Sequence, residues 1–382
     1  MCSRTPGSGS ARRPVQRSRR PLPHRFAAVL AAAGFAAWLG GASARAEPAP
    51  SPWSSAGHLD LDSMAGFGSG HKLGSESSAL LQWGGRFDTG RAGAWKGGRF
   101  DLSIEGVRAA GNPTAGTGVL QWPSNEWAPN FLRVYQATFR QRWSHALVRV
   151  GIMDVNQYFE SSDVADLLHN ASFGLAPSFT SNFNDPSFPN PGLGAMGEVH
   201  WAHAWRARAG IWQGNPPQLA GALYDGSLRL LELERDWGHS EGGPADDLKL
   251  GVWRYTQPVA SLGADTAGGY LVGEMRWRQG FRRWGAFVLG GTTPATGNLV
   301  RRFAAAGLLL QHPFAQRPRD AFSIGLTQVR IRALHAETIL ESTYSWQLTR
   351  RVALQPDVQR AWNPSGQGAP AWIAGVRVHL VF

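Results

Sequence analysis

The chain ends with Ala371-Trp-Ile-Ala-Gly-Val-Arg-Val-His-Leu-Val-Phe382, in which apolar positions alternate with mixed or polar ones up to a terminal aromatic residue. Because strand side chains alternate with period two, such a segment can turn an apolar face to lipid and a polar face to water. Arg377 and His379 fall on one face, and the other face carries Trp372, Ala374, Val376, Val378, Leu380 and Phe382. This ending predicts the closing strand of a transmembrane β-barrel. An edge strand of a soluble sheet is the alternative, and the recurrence of the pattern along the chain argues against it.

Residues 1–46 have the features of a secretory signal peptide. Eight arginines and no acidic residue precede or flank the alanine-rich run 26–44, which leads to the A-x-A pattern Ala44-Arg45-Ala46. A retained membrane anchor is the alternative, but small residues and the pair Gly40-Gly41 make this run a poor spanning helix. The sequence predicts a mature chain that begins at Glu47, with residues 47–382 forming one outer-membrane barrel domain.

The net charge of the chain comes mainly from this leader. The whole chain has 38 Lys+Arg and 27 Asp+Glu, so removing the eight leader arginines leaves 30 against 27, a net charge of +3. We therefore expect no nucleic-acid partner. The single cysteine, Cys2, also lies in the leader, so the mature chain would have no disulfide.

The rest of the chain is all-β by its pattern. After residue 46 no stretch of eighteen consecutive apolar residues occurs, yet 43% of the chain is hydrophobic, in short alternating segments separated by Gly, Pro and Asn. The pattern predicts an antiparallel transmembrane barrel of sixteen strands, an even number as bacterial outer-membrane barrels require. The predicted strands are 58–67, 78–89, 98–109, 130–142, 145–155, 192–203, 205–213, 227–237, 247–256, 268–279, 283–291, 300–311, 320–331, 337–348, 352–362 and 371–382.

The alternation also predicts which side chains face the lumen. Charged residues at bilayer depth are costly on the lipid face and cheap in an aqueous lumen. In 98–109, 268–279 and 337–348 the predicted lumen residues are Asp101, Ser103, Glu105, Glu274, Arg276, Arg278, Glu337, Glu341, Thr343 and Gln347. Tryptophans near the strand ends are predicted to form the interfacial girdle, namely Trp83, Trp143, Trp201, Trp205, Trp253, Trp277, Trp284, Trp346 and Trp372.

The connection 157–191 is much longer than the others, and a loop of this length is usually functional. Residues 161–170 read as a short helix, with a serine cap, acidic residues in the first turn and Asn at the exit. We expect this loop to fold inward and constrict the lumen, with Glu160, Asp163, Asp166 and Asn170 at the constriction. An external cap over the rim is the alternative.

Several blocks of the sequence resemble the carbohydrate-selective porins, the OprB-like family. They are residues 154–160, 164–174, 133–139, 337–344 and 354–359, followed by Asn363-Pro364. The resemblance implies a sixteen-stranded outer-membrane channel that passes glucose and related sugars by diffusion. The family usually has acidic and Trp residues where this chain has Gln136, Thr138 and Arg140. Because 27 arginines and three lysines follow the leader, a general or anion-preferring porin remains an alternative.

In such a channel, lumen side chains bind sugar hydroxyls weakly and at several sites, so that the solute also leaves. The predicted lining residues are Glu105, Arg140, Arg149, Glu341, Gln355, Asp357 and Gln359. A structural ladder of lumen salt bridges is the alternative for each of them. Trp122 and Trp127, in the connection 110–129, lie outside the strands and are candidates to stack on sugar rings.

The sequence favours a channel over an enzyme. It has no Gly-x-Ser-x-Gly elbow and no His-Glu-x-x-His, and His200 and His203 would point to opposite strand faces. We therefore expect no enzymatic activity, no metal site and no cofactor. An adhesin would need several long loops, and only 157–191 is long. The expected partners are permeating sugars, outer-membrane lipid and the barrel-assembly machinery, which would recognise the C-terminal strand.

Overall fold

The computed structural model describes residues 51–68, 74–112, 114, 117–202, 204–216, 226–237, 246–256, 265–294 and 297–382. The predicted signal peptide and the cleavage site before Glu47 lie outside these residues, and so does His203. Within the described ranges, no helix is long and apolar enough to span a membrane.

The alternating segments form sixteen strands among the described residues, and each strand pairs antiparallel with its neighbour in sequence. The strands are β1 Trp53–Gly68, β2 Gly74–Asp88, β3 Gly98–Gly111, β4 Phe131–Arg142, β5 Ala146–Met153, β6 Gly192–Trp201, β7 Trp205–Gln213, β8 Ser227–Trp237, β9 Asp246–Thr256, β10 Thr266–Gln279, β11 Arg282–Thr292, β12 Val300–Gln311, β13 Ala321–Ile331, β14 Ala336–Gln347, β15 Val352–Trp362 and β16 Ala371–Val381. All sixteen predicted strands are present, and four of them, β7, β8, β12 and β15, have the predicted bounds.

The last strand closes the barrel on the first. The pairing runs from His58 opposite Val381 to Gly68 opposite Ala371. Beyond it, the backbone groups of Gly57 and Phe382 exchange two hydrogen bonds of 3.0 Å. Closure leaves no strand edge unpaired, which a sheet in lipid requires. The predicted fold class is therefore confirmed.

The two faces of the wall differ as the alternation predicts. On β3, Phe100, Leu102 and Ile104 are 46%, 51% and 40% exposed, whereas Asp101 and Glu105 are only 8% and 3% exposed on the lumen side. One girdle prediction is wrong: Trp253 points into the lumen, where its ring lies 5.2 Å from that of Phe179. An apolar side chain can face the lumen there because a loop covers it.

Two connections fold into the lumen from the same end of the barrel. We name them L2, between β3 and β4 (112–130), and L3, between β5 and β6 (154–191). The largest hydrophobic cluster of the described residues lies inside the barrel, where apolar residues of L3 pack on the inner wall of β6–β13. Its L3 members are Val155, Phe159, Val164, Ala165, Leu168, Phe173, Leu175, Ala176 and Phe179.

The helix predicted over 161–170 is wrong, because this segment forms turns. The short helix of L3 lies further on, as α1 Pro177–Thr180, and 3₁₀ turns occupy Val155–Gln157 and Ala171–Phe173. The N–H groups of Val164, His169 and Asn170 donate to carboxylates of the barrel wall. Since these donors find partners outside the segment, nothing requires the helical i→i−4 pattern there.

Candidate functional site

Buried glutamates of the wall anchor the backbone of L3. Glu274 on β10 accepts the Val164 N–H at 2.9 Å and also accepts from the Ser162 hydroxyl. On β14, Glu341 accepts the N–H groups of His169 and Asn170. A third glutamate, Glu232 on β8, accepts the Glu160 N–H at 3.0 Å. These hydrogen bonds satisfy the polar backbone of a loop that has left the solvent.

Glycines in the wall make room for the same loop. A Cβ atom added to Gly291 on β11 would lie 2.1 Å from the Ser178 Oγ and 3.1 Å from the Ala176 Cβ. A Cβ atom added to Gly325 on β13 would lie 2.7 Å from side-chain atoms of Leu168 and Phe173. L3 can therefore lie against the wall because glycines leave space for its side chains and because the wall carboxylates accept its N–H groups.

L2 is anchored by side chains of β14 and β16. Glu337 on β14 accepts the N–H groups of Leu120 and Gln121, each at 2.8 Å. The Arg377 guanidinium on β16 donates to the Asn125 side chain at 2.9 Å and forms a 3.0 Å ion pair with Glu126. Sequence reasoning did not predict that L2 folds inward. No motif in L2 signals it, since its partners are the strand carboxylates and Arg377.

The two loops also bond to each other inside the lumen. The Asn125 N–H donates to the His169 carbonyl at 2.7 Å, and the Ala171 N–H donates to the Trp122 carbonyl at 2.9 Å. The Asn170 side chain reaches both Gln121 of L2 and Gln359 of β15. L2 and L3 therefore form one hydrogen-bonded unit inside the lumen.

A cavity of about 630 Å³ lies along the two loops. The rings of Trp122 and Trp127 form one part of its wall, with centroids 5.6 Å apart and planes at 85°. Its polar lining includes Asn125, Asn156, Ser161, Ser162, Asp163, Asp166 and Asp185. An aromatic surface beside amide and carboxylate groups can bind a compact polyol, through ring contact and through hydrogen bonds.

A second polar feature lies on the inner wall of β2–β5. Arg99, Arg140 and Arg149 are directly opposite one another in the register of β3, β4 and β5. The carboxylate of Asp101 lies 2.9 Å from Arg99 and 3.3 Å from Arg149. The Arg149 guanidinium also stacks over the Tyr158 ring of L3, 4.8 Å from its centroid.

The structure separates the predicted lining residues into two groups. Arg140 and Arg149 lie in the arginine row, and Glu105 lies on the same side of the barrel, where it accepts from the Gln82 side chain at 2.8 Å. The other four residues lie under the loops. The Gln355 amide donates to the Leu167 carbonyl and the Gln359 amide to the Pro123 carbonyl, while Asp357 accepts from Gln359 and Glu341 binds L3.

The predicted constriction residues also differ in position. Asp163 exposes 82% of its side chain and lies 3.8 Å from Arg276, and Asp166 lines the cavity. Glu160 and Asn170 are buried. Glu160 has a left-handed backbone conformation, with a φ of 54°. Desolvation raises the pKa of its carboxyl group well above the usual range, because burial disfavours the charged form.

Two acidic groups lie at the base of L3. Asp154 accepts from the Tyr135 hydroxyl at 2.5 Å and from the Asn156 N–H at 2.7 Å. Burial raises the pKa of Asp154 to about 6 and that of Asp185 to about 7, because water no longer stabilises the charged carboxylates.

One group of acidic residues in the described part of the chain is close enough to bind a metal ion, Glu234, Asp236 and Asp247. Arg206 lies 2.8 Å from Glu234 and 3.6 Å from Asp236, and Lys249 lies 3.7 Å from Asp247. These cations already compensate the carboxylates, so the arrangement favours ion pairs over a metal ion.

Comparisons with known proteins agree with this architecture. The high-pH structure of Pseudomonas putida OprB has a TM-score of 0.76 at 15% identity, covering 87% of this chain and 94% of that chain. The low-pH structure of the same protein has a TM-score of 0.57 at 13% identity, covering 87% and 93%. A loop L8 deletion mutant of OmpT, an outer membrane protein of Vibrio cholerae, has a TM-score of 0.55 at 9% identity, covering 87% and 100%. These likenesses show the fold.

The family is shown by the sequence itself. No curated protein sequence matches the chain. The family profile described as carbohydrate-selective porin, OprB family, matches residues 74–382, which is most of the chain. The fold and this match identify an outer-membrane channel rather than an enzyme. The chain belongs to the carbohydrate-selective porin family, OprB.

Proposed function

We propose that monosaccharides cross the barrel through a passage lined by L2 and L3 on one side and by the inner wall of β2–β5 on the other. L3 is bonded to β4, β8, β10, β14 and β15, and L2 is bonded to β1, β3, β14, β15 and β16. The loops are thus held against most of the wall. At the arginine row of β3–β5, the Tyr158 ring of L3 lies against the Arg149 guanidinium.

The cavity between the loops carries this proposal. In it, a sugar ring would contact Trp122 and Trp127, while its hydroxyl groups would bond to Asn125, Asp163 and Asp166. Glu105, Arg140 and Arg149 would offer further hydrogen bonds along the wall. Several weak sites in series allow a solute to enter and also to leave.

Glu341, Gln355, Asp357 and Gln359 have a different role in this proposal. Glu341, Gln355 and Gln359 bond to the loops and hold the constriction at a fixed width, Asp357 holds the Gln359 side chain, and none of the four would touch the solute. Among the four predicted constriction residues, Asp163 and Asp166 would meet the solute, whereas Glu160 and Asn170 would position the loop.

Transport can be measured by swelling of proteoliposomes in arabinose, glucose and sucrose. We expect monosaccharides to enter faster than sucrose. Trp122→Leu should lower the preference for glucose over an amino acid of similar size, because the aromatic contact surface is lost. Trp346→Leu on the lipid-facing girdle is the matched control and should behave like the wild type. Equal rates for sugars and amino acids of equal size in the wild type would overturn the proposal.

The outer surface of the barrel would contact lipid, and its last strand would contact the assembly machinery. The exposed apolar face of the strands, with Trp83, Trp277 and Trp372 among its residues, would contact outer-membrane lipid. The terminal strand β16 would be the element that the barrel-assembly machinery binds. We infer a passive channel with no catalytic activity and no cofactor, in which sugars are the permeating partners.

A further inference from the structure

A row of arginines on the lumen wall has more positive charge than its neighbours compensate. The row consists of Arg99, Arg140 and Arg149, and Arg86 on β2 joins it through Asp101, 3.2 Å from its Nε. Three guanidinium groups, those of Arg86, Arg99 and Arg149, thus share the Asp101 carboxylate, and Arg140 lies beside them in the register. Like charges directly opposite one another across strands are normally destabilising, so the arrangement needs an explanation beyond strand pairing.

The hydrogen-bond donors of this row are only partly used. Within the described residues, Arg140 Nε and Arg149 Nε are buried and have no hydrogen-bond partner. Arg149 is itself only 6% exposed. Leaving a buried charged donor without an acceptor is unfavourable. The unused N–H groups of two adjacent strands therefore favour an acceptor with several oxygens.

The surroundings of the row contain little further negative charge. Gln136 and Thr138 of β4 are neutral, and the Tyr158 hydroxyl accepts from the Gln136 amide at 2.9 Å. Asp88, opposite Arg99 in the register, accepts the Arg91 N–H at 2.9 Å. The side chain of Arg86 is 54% exposed, so water reaches the row from the lumen.

We propose that the row of Arg86, Arg99, Arg140 and Arg149 binds the anionic group of a sugar-sized acidic solute, a carboxylate or a phosphate. The planar fork of a guanidinium group matches both anions in bidentate geometry. Asp101 neutralises part of the charge, so the anion is held weakly enough to be released. The inference rests on the proposed function, since it assumes that solutes pass this wall, and it adds acidic sugars to the solutes that the channel accepts.

Competition against radiolabelled glucose entry into proteoliposomes tests the site. D-gluconate and D-glucitol are open-chain molecules of similar size that differ in the carboxylate. We expect gluconate to inhibit glucose entry at about 10-fold lower concentration than glucitol, as one or two charge-assisted hydrogen bonds would give. Inhibition by glucose 6-phosphate, compared with inhibition by unlabelled glucose, tests whether the row also binds a phosphate group. Inorganic phosphate alone shows whether the sugar part is needed.

Three variants test whether the preference for gluconate depends on the arginine row. Arg140→Gln should lower the preference for gluconate over glucitol several-fold. Gln136→Glu keeps the side-chain volume, adds one negative charge beside the row and should act in the same direction, which covers the case that Arg140→Gln fails to assemble. Arg278→Gln removes a lumen-facing arginine from β10, outside the row, and should leave the preference unchanged. Heat-modifiability on gels verifies assembly of each variant.

The outcomes separate this inference from the proposed function. If the wild type passes glucose but gluconate inhibits no better than glucitol, the anion site is wrong and the sugar channel stands. If Arg278→Gln reduces the preference as much as Arg140→Gln, the average charge of the lumen is responsible and the assignment to this row is overturned. Failure of glucose itself to enter would instead contradict the proposed function.

Discussion

The guanidinium group of Arg377 on the last strand lies 2.9 Å from the carboxylate of Asp62 on the first strand. The two residues are directly opposite each other in the register that closes the barrel. The Asp62 carboxylate also accepts from the Ser124 hydroxyl of L2 at 2.6 Å. Barrel closure and the docking of L2 therefore depend on the same buried ion pair.

Removing Arg377 should release L2. Arg377→Gln would leave Asp62 and Glu126 buried without their cation, and breaking a buried pair in this way costs about 3–5 kcal/mol. We expect a folded barrel with higher single-channel conductance and weaker discrimination between mono- and disaccharides. Arg278→Gln, which removes an exposed lumen arginine away from both loops, is the control. Unchanged conductance in Arg377→Gln would show that L2 does not need this anchor.

Two neighbouring glycines on β11 provide a test of L3 that leaves the sequence of L3 unchanged. One substitution should displace the loop, and the other is its control. Gly291→Val should push α1 away from the wall, since its Cβ would lie 2.1 Å from the Ser178 Oγ. A Cβ atom added to Gly290 would point to lipid and lie 4.0 Å from the Phe303 carbonyl oxygen, so Gly290→Val should be tolerated. Conductance should rise in the first variant only. The same conductance in both would mean that the contact of L3 with β11 does not set the pore width.

The charge of L3 and its volume should have separable effects. Asp163→Asn with Asp166→Asn removes two negative charges at nearly constant volume, so the ratio of anion to cation permeability should increase. Size exclusion should change little. Deleting 161–170 should in addition raise single-channel conductance, because L3 then loses its bonds to Glu274 and Glu341. Reversal potentials and sugar swelling distinguish the two variants. A deletion that keeps wild-type conductance would place the selectivity in the wall.

The terminal aromatic residue should matter for assembly. Phe382 pairs with Gly57, and a Cβ added to Gly57 would lie 2.5 Å from the Phe382 ring. Deleting Phe382, or replacing it by Asp, should reduce the heat-modifiable protein in outer membranes, because the closing strand loses its end. Gly57→Val should move the ring and cause a milder defect. Normal accumulation of the deletion variant would contradict this role.

The base of L3 should loosen as the pH rises. In the folded protein the pKa of Asp154 is about 6 and that of Asp185 about 7, both above the usual value of 3.8 for an aspartate side chain. Raised values mean that the folded loop favours the protonated acids, so this stabilisation is full below about pH 4. It is lost as the pH increases through 6 and 7.

Hydrogen exchange of the L3 amides at pH 5.5 and pH 8, corrected for intrinsic rates, measures this effect. Asp185→Asn should remove part of the pH dependence, whereas Asp163→Asn, an exposed residue away from the base, should not. Protection that rises with pH in the wild type would show that the sign is wrong.

The sequence alone determined the barrel. Period-two alternation fixes which side chains meet lipid and which meet water, so strand number, the approximate place of each strand and the lumen positions of Asp101, Glu105 and Glu274 follow from the pattern. The length of L3 likewise indicated a functional loop. The alternation does not give the register between strands. Arg99, Arg140 and Arg149 belong to three strands, and only the pairing of those strands places them side by side.

Tertiary contacts also decided the structure of the loops. Residues 161–170 have the capping and composition of a helix, yet the wall carboxylates of Glu274 and Glu341 take their N–H groups and the helix does not form. L2 has no helical or strand signal, and its inward position depends on Glu337 and Arg377, more than 200 residues away in the chain. Local sequence cannot specify such partners, because backbone donors bind any acceptor that the folded wall brings within reach.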